Sequence, residues 1–167
     1  MNGMVGSMDS TISARLMKVR RTILMVDDSA NDLLLMRAAF KTAKCTDPLH
    51  EVGNGEEAIA YLKGEGPYAD RNAFPLPVMV LLDLNMPKKD GFEVLAWVRA
   101  QPVLRRLAMF VLTASMRSED VERAFDLGAT SFLVKPGELV ELTAMVRCLC
   151  DWMQMNHFPR LEGPART

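Results

Sequence analysis

The sequence holds 167 residues, of which 49% are hydrophobic and 25% are charged, with a formal net charge of −1 at pH 7. This length and composition suit one globular domain. A charge so near zero gives no reason to expect nucleic acid or an anionic membrane surface as a partner. No apolar run approaches the roughly 20 residues that cross a bilayer, and the N-terminus lacks the apolar core of a secretory signal.

The three cysteines, Cys45, Cys148 and Cys150, fit neither a paired disulfide set nor a spaced metal site. Cys148 and Cys150 are two positions apart, so on a helix they point to different faces. Free cysteine is often buried, and disulfides are rare in a reducing compartment. We therefore interpret all three as small apolar fillers in a cytoplasmic protein.

Short tails are predicted on both sides of the folded domain. Residues 1–20 combine Gly, Ser, Asp and Thr with scattered Met and show no sustained apolar period, which indicates a flexible N-terminal tail. The folded domain is predicted over residues 21–156, followed by a C-terminal tail over 157–167. No internal repeat and no second domain is expected.

Apolar runs and helical spacing predict five strands that alternate with five helices. The strands are predicted at 22–26, 50–52, 78–82, 109–112 and 131–134. The helices are predicted at about 29–44, 56–63, 91–100, 118–127 and 138–156. Ser29 is the predicted cap of the first helix, with Asp32 in its first turn, where the helix dipole favours a carboxylate. The fourth helix carries the apolar residues Val121, Ala124 and Phe125, and residues 64–76 form an unusually long connection. This order predicts an α/β fold with a parallel sheet covered by helices on both faces.

Reactive polar residues directly follow four of the predicted strands. Asp27 and Asp28 follow the first strand, Asp83 the third, Thr113 the fourth and Lys135 the fifth. All these ends lie on one edge of a parallel sheet, which is where open α/β sheets place their ligand crevice. The sequence thus predicts a site that combines three carboxylates, a hydroxyl and an ammonium.

The carboxylates of this set are suited to a divalent cation. Clustered carboxylates repel one another unless a cation joins them, and oxygen ligands suit Mg²⁺. Asp28 and Asp83 are the candidate direct ligands, and Asp27 acts directly or through water. The backbone carbonyl of Asn85 is a candidate neutral ligand.

The remaining groups are suited to phosphoryl chemistry. Thr113 can donate a hydrogen bond to a phosphoryl oxygen, and Lys135 supplies a point charge to another. Asp83 is then the candidate nucleophile, since attack of a carboxylate on phosphorus needs positioning and charge neutralisation more than proton transfer.

The motifs V-D-D, L-L-D-L-N-M-P-x-x-D-G, L-T-A and F-L-V-K-P resemble, in order and separation, the receiver domain of two-component response regulators. The resemblance covers residues 21–153. It implies a flavodoxin-like (βα)5 fold, a doubly wound parallel sheet with strand order 2-1-3-4-5. It also implies that Asp83 accepts a phosphoryl group from the phosphohistidine of a sensor histidine kinase, with Asp27, Asp28 and Mg²⁺ or Mn²⁺ helping. Such a protein catalyses its own phosphorylation and dephosphorylation and has no separate substrate.

By the same resemblance, Thr113 and Phe132 form a switch pair. Phosphorylation draws the Thr113 hydroxyl toward the phosphoryl group, and the Phe132 ring turns inward; the alternative is that Phe132 is simply a packed strand aromatic. The 64–76 insertion and the long last helix resemble the stand-alone regulators that serve bacterial phytochromes. A bacteriophytochrome kinase is therefore a candidate partner, and no fused output module is expected.

The last predicted helix carries two adjoining apolar stripes. The first is Leu139, Leu142, Val146, Leu149 and Met153, and the second is Met145, Cys148, Trp152 and Met155. One stripe suffices to pack the helix on its sheet, and about 19 residues reach about 28 Å, so the last turns overhang. Exposed apolar surface indicates a partner site, and we expect a homodimer through this helix. The alternative is that Trp152 and Met155 fold back onto their own domain.

Two rival classes differ from this interpretation at the residue level. Phosphatases of the haloacid dehalogenase kind also use a strand-end Asp with Mg²⁺, but they show a D-x-D-x-T/V motif. Here Leu84 and Asn85 follow Asp83, so the second Asp, their general acid, is missing. A degenerate receiver that serves only as a docking module would not need the complete set of strand-end groups.

Overall fold

The parallel sheet and its strand order 2-1-3-4-5 are confirmed by a computed structural model of the protein, which describes residues 21–161. The strands are β1 (Ile23–Val26), β2 (Leu49–Val52), β3 (Met79–Leu82), β4 (Ala108–Thr113) and β5 (Ser131–Val134). The helices are α1 (Ala30–Thr42), α2 (Gly55–Lys63), α3 (Gly91–Ala100), α4 (Ser118–Asp126) and α5 (Leu139–Met155). The predicted tail at 1–20 and the end of the C-terminal tail lie outside the described residues.

The central strands β1 and β3 are buried on both faces of the sheet. Every residue of both strands is inaccessible to solvent, which explains why their sequences are continuous apolar runs without alternation. One face of the sheet packs against α2 and α3, and the opposite face packs against α1 and α5. Hydrophobic burial on both faces therefore fixes where β1 and β3 end, and with them the edge that carries Asp27 and Asp83.

Side-chain caps start the first three helices. The Ser29 hydroxyl accepts the Asp32 N–H at 3.2 Å to begin α1, and Asn54 caps α2 in the same way. Asp90 and Glu93 form a reciprocal capping box at the start of α3. These caps satisfy N–H groups that the helix leaves free, and they hold the loops of the sheet edge in short, defined conformations.

The long connection between α2 and β3 is anchored to the end of α2. The Arg71 guanidinium donates hydrogen bonds to the backbone carbonyls of Tyr61 and Leu62, at 2.7 Å each. Both carbonyls belong to the last turn of the helix, where backbone donors run out. The Tyr61 carbonyl also accepts the Gly64 N–H at 3.1 Å. The rings of Tyr68 and Phe74 pack against the Tyr61 ring, with centroids 5.2 and 6.0 Å apart. The insertion is therefore a structured cap on α2.

The fourth helix, α4, buries only one of its three apolar side chains. Ala124 is buried, whereas Phe125 is 50% exposed and Val121 is half-buried. The apolar face that α4 packs against the domain is therefore narrow.

The prediction that the three cysteines are small apolar fillers is wrong. Cys45, which follows α1, and Cys150, in α5, form a disulfide with Cα atoms 6.3 Å apart. Cys148 is a free, exposed thiol. The two helices lie on the same face of the sheet, so their packing joins residues 105 positions apart. This pairing also removes the cysteine argument for a reducing compartment.

Reduction of the Cys45–Cys150 disulfide should lower the thermal stability by several degrees. A cross-link that closes a loop of about 100 residues restricts the unfolded chain and stabilises the fold by about 4–5 kcal/mol in the chain-entropy model. Thiol counting should find one free thiol before reduction and three after it. Cys45→Ser should have the low melting temperature without reductant, and Cys148→Ser is the matched control. Three reactive thiols in folded, unreduced protein would contradict the pairing.

Candidate functional site

The ends of β1 and β3 bring two buried carboxylates side by side. The strands pair in parallel with Val26 opposite Leu82, and the Asp83 N–H donates to the Val26 carbonyl at 3.0 Å. Asp27 and Asp83 are the next residues of their strands, and they are 0% and 5% exposed. The strand-end prediction is therefore confirmed for this pair at the level of position.

A third carboxylate completes an acidic cluster at this edge. Asp28 is exposed, and Asp27, Asp28 and Asp83 each offer an oxygen within 4.8 Å of the other two. Burial raises the pKa of the Asp27 carboxyl above its ordinary value, although hydrogen bonds from Lys135 and from the Ser29 N–H oppose this shift. Three oxygen donors so close together fit a hard divalent cation.

Lys135, at the end of β5, places its ammonium among these carboxylates. The Nζ atom lies 2.7 Å from Asp27 Oδ2, 2.7 Å from Asp32 Oδ2 and 3.4 Å from Asp83 Oδ2. Burial alone would lower the pKa of Lys135, but the hydrogen bonds to Asp27 and Asp32 and the Asp83 charge raise it above its ordinary value. With Asp28 beside them, the described carboxylates of this crevice outnumber its one ammonium.

Thr113 ends β4 beside the acidic cluster, on the neighbouring strand to β3. Its side chain is fully buried, and its hydroxyl oxygen accepts the Ser115 N–H at 3.3 Å. The Ser115 hydroxyl in turn donates to the Asp120 carboxylate at the start of α4. The loop after β4 is thereby tied both to Thr113 and to α4.

Phe132 does not lie at the strand end. It is opposite Val111 in the β4–β5 register and packs, half-buried, against a small cluster that includes Leu84 and Phe92. Phe132 thus lies within β5, two positions before that strand ends at Val134.

The loop after β3 is pressed against the backbone of Asp83. A Cβ atom on Gly91 would lie 2.3 Å from the Asp83 carbonyl oxygen, so a side chain at position 91 would displace the end of β3. The Gly91 N–H donates to the Leu84 carbonyl at 3.0 Å, and the Asn85 N–H is 3.5 Å from Asp83 Oδ1. This loop holds Asn85, the predicted carbonyl ligand, directly beside the cluster.

Two features of the site are absent from the sequence prediction. Asp32 was assigned only a favourable helix-dipole position, but its carboxylate binds Lys135. The Ser115–Asp120 hydrogen bond was not anticipated either. The first-turn position of Asp32, five residues after Asp27, was the available signal, since it puts a carboxylate at the same sheet edge.

Comparison with known proteins agrees with this fold and site. The family model described as "Response regulator receiver domain" matches residues 23–147. Response regulator Rcp1 of Synechocystis is 38% identical over 140 residues, which cover 83% of this chain and 93% of Rcp1. The fold and its acidic edge thus define a flavodoxin-like α/β protein. The chain belongs to the response regulator receiver domain family of two-component signalling.

Solved structures give the same relationship. The phosphorylated cyanobacterial phytochrome response regulator RcpA superposes with a TM-score of 0.77 at 33% identity, covering 85% of this chain and all of RcpA. RPA3017, a response regulator in red light signalling of R. palustris, gives 0.80 at 32% identity, covering 84% and 99%. A manganese-bound form of Rcp1 gives 0.74 at 35% identity, covering 84% and 99%. A divalent metal in that relative is consistent with the acidic cluster here.

Within residues 21–161, no helix has the length and apolarity to cross a membrane.

Millimolar Mg²⁺ should raise the melting temperature of the wild-type protein. Without a cation, Asp27, Asp28 and Asp83 repel one another, and an ion that binds only the folded state stabilises it by mass action. Asp28→Ala should relieve repulsion, so that the metal-free melting temperature rises slightly while the Mg²⁺ effect shrinks. The same titration with Na⁺ at equal ionic strength is the control. A melting temperature indifferent to Mg²⁺ would exclude the metal site.

Proposed function

We propose that Asp83 is the phosphoacceptor of a response regulator and takes its phosphoryl group from a phosphohistidine of a sensor histidine kinase. The observation that supports this most is the position of Asp83. Its carboxylate is 5% exposed and lies at the end of a fully buried strand, within 4.8 Å of two other carboxylates and 3.4 Å from an ammonium. The rigid strand fixes the nucleophile, and the neighbouring charges are placed to act on an incoming phosphoryl group.

The transfer exchanges one bond to phosphorus for another. A carboxylate oxygen of Asp83 forms the new O–P bond, the P–N bond to the kinase imidazole breaks, and its electron pair returns to the imidazole nitrogen. Lys135 neutralises charge on the phosphoryl oxygens, and the Thr113 hydroxyl donates a hydrogen bond to one of them. In dephosphorylation, a water oxygen forms the new bond to phosphorus and the O–P bond to Asp83 breaks. Asp83 becomes a carboxylate again, and phosphate is released.

A Mg²⁺ ion fits the acidic cluster and supplies charge neutralisation for the phosphoryl oxygens when bound. Asp28 and Asp83 are its proposed direct ligands, Asp27 binds directly or through water, and the Asn85 carbonyl contributes a neutral oxygen. Mg²⁺ is reluctant to lose its waters and typically combines one or two carboxylates with phosphate oxygen. The donor set of this cluster matches that preference, and Mn²⁺ suits it as well.

Thr113 and Phe132 are the proposed switch pair. The Thr113 hydroxyl accepts the Ser115 N–H in the present structure, so its own hydrogen is free to turn toward a phosphoryl oxygen. Such a movement acts on the loop after β4, because the Ser115 N–H binds the Thr113 hydroxyl. It also acts on α4, because the Ser115 hydroxyl binds Asp120. We take the Phe132 ring, half-buried against the cluster that includes Leu84 and Val111, as the side chain that fills the space.

The kinase partner that we propose is a bacteriophytochrome or a related sensor kinase. The support is the similarity to RcpA, described as a cyanobacterial phytochrome response regulator, and to RPA3017 of red light signalling. The similarity extends over nearly the whole length of both relatives.

Asp83→Asn should abolish phosphoryl transfer while the fold is maintained. The amide is nearly isosteric with the carboxylate but is a poor nucleophile, so label from a phosphorylated sensor kinase should fall by more than 100-fold. Circular dichroism and thermal unfolding serve as the check on folding. Asp90→Asn, at the exposed cap of α3, is a matched control that should accept label like the wild type. Labelling of folded Asp83→Asn at the wild-type rate would refute the assignment.

We also propose that the region of α5 and the edge strand β5 forms a homodimer surface. Part of the expected wide face is covered by the same chain, because Trp152 packs against Phe110 and Phe158 with centroids 5.1 and 5.7 Å apart. Val140 and Met155 nevertheless remain 82% and 77% exposed. The surface proposed for the second copy therefore consists of these exposed residues rather than of Trp152.

Sedimentation and light scattering should show a dimer of the wild type at micromolar concentration. Val140→Glu combined with Met155→Glu should weaken the association by at least tenfold, because it places charges in the apolar contact. Leu34→Glu, which changes an exposed apolar residue of α1, is the matched control and should leave the dimer intact. A wild type that stays monomeric, phosphorylated or not, would refute the dimer surface.

A further inference from the structure

The carboxylate of Asp32 lies in the same crevice but has no part in the chemistry described so far. Asp32 stands in the first turn of α1, where its N–H binds the Ser29 cap. Its side chain is 34% exposed, and Oδ2 accepts a hydrogen bond from the Lys135 ammonium at 2.7 Å. The contact links α1 to the end of β5, across 103 positions of sequence.

The Lys135 ammonium lies closer to Asp32 than to the proposed phosphoacceptor. Its nitrogen is 2.7 Å from oxygens of both Asp27 and Asp32, and 3.4 Å from Asp83 Oδ2. Charge-assisted N–H···O hydrogen bonds are about 2.7–2.9 Å long, and an ammonium has three donors. Two donors are thus fully engaged, whereas Asp83 is reached by a longer ion pair.

We propose that Asp32 is a positioning residue that holds the Lys135 ammonium partly away from Asp83 and thereby weakens its contact with a phosphoryl group there. This inference rests on the proposed function, since it concerns a phosphoryl group on Asp83. Asp27, the other close partner, is fully buried and shares its charge with the metal site. Asp32 is the outer partner, and the N-terminus of α1 stabilises its negative charge independently of Lys135.

Loss of the Asp32 charge should therefore tighten binding of a phosphoryl analogue. Asp32→Asn keeps the size of the side chain and an acceptor oxygen, but it releases the ammonium toward Asp83. A partly exposed ion pair contributes up to about 1 kcal/mol, which corresponds to about a fivefold change in a binding constant. Beryllofluoride, a tetrahedral stand-in for a phosphoryl group on a carboxylate, is the probe, and ¹⁹F NMR in the presence of Mg²⁺ measures its dissociation constant.

Three variants accompany this titration. Asp32→Glu retains a carboxylate within reach of Lys135 and should bind beryllofluoride like the wild type. Arg37→Gln removes the other ion pair of α1, that with Glu51, without touching the crevice, and should also bind like the wild type. Asp83→Asn should not bind the probe. Thermal unfolding of each variant confirms that it is folded.

A salt titration distinguishes the short contact between Lys135 and Asp32 from a general field effect of the Asp32 charge. Removal of any nearby negative charge favours an anion through space, but 1 M salt reduces the screening length to about 3 Å. The fivefold ratio between Asp32→Asn and the wild type should persist from 0.1 to 1 M NaCl if it acts through the short Lys135 contact. A ratio that falls to one at high salt would overturn the inference.

The outcomes distinguish this inference from the function on which it rests. Binding by the wild type, none by Asp83→Asn, and equal or weaker binding by Asp32→Asn would overturn the role of Asp32 and leave the function standing. No Mg²⁺-dependent binding by the wild type, or equal binding by Asp83→Asn, would refute the proposed function itself. Tighter binding by Asp32→Asn with wild-type affinity in Asp32→Glu supports the positioning role.

Discussion

The contact of the Lys135 ammonium with the carboxylates of Asp27, Asp32 and Asp83 holds the site together. Asp27 and Asp83 are carried by the two strands that are most deeply buried, and Lys135 is their closest described cation. Charges taken out of water are costly unless they are paired. Hydrophobic packing on both faces of β1 and β3 keeps these groups together even though the carboxylates outnumber the ammonium, and the remaining negative charge gives the crevice its affinity for cations.

The positions of the strand-end residues could be predicted because each depends on local sequence. An apolar run that ends in Asp27 or Asp83 indicates a buried strand followed by a carboxylate, and parallel order brings the ends together. The same reasoning predicted the Ser29 cap. It missed the second role of Asp32, because the partner of Asp32 lies at the end of β5 and no spacing within α1 reveals it.

Features that join distant parts of the chain were likewise not predictable from spacing. The Cys45–Cys150 disulfide depends on how α1 packs beside α5, and the Arg71 cap depends on how the insertion turns back to α2. Periodicity predicts two adjoining apolar stripes on α5, and Cys148 and Met155 of the second stripe are exposed. Periodicity shows which residues share a face but not what covers them, so the contact of Trp152 with its own domain could not be distinguished from a partner contact.

Of the several carboxylates in this crevice, we expect Asp83 alone to carry the phosphoryl group. Chemical mapping identifies the phosphorylated residue. The protein is treated with acetyl phosphate and Mg²⁺, reduced with borohydride, and digested for mass spectrometry. Borohydride converts an aspartyl phosphate to homoserine. We expect this conversion at Asp83, with Asp27, Asp28 and Asp32 unchanged. Homoserine at one of those three positions, or phosphate found on serine, threonine or histidine instead, would contradict the assignment of Asp83 as the phosphoacceptor.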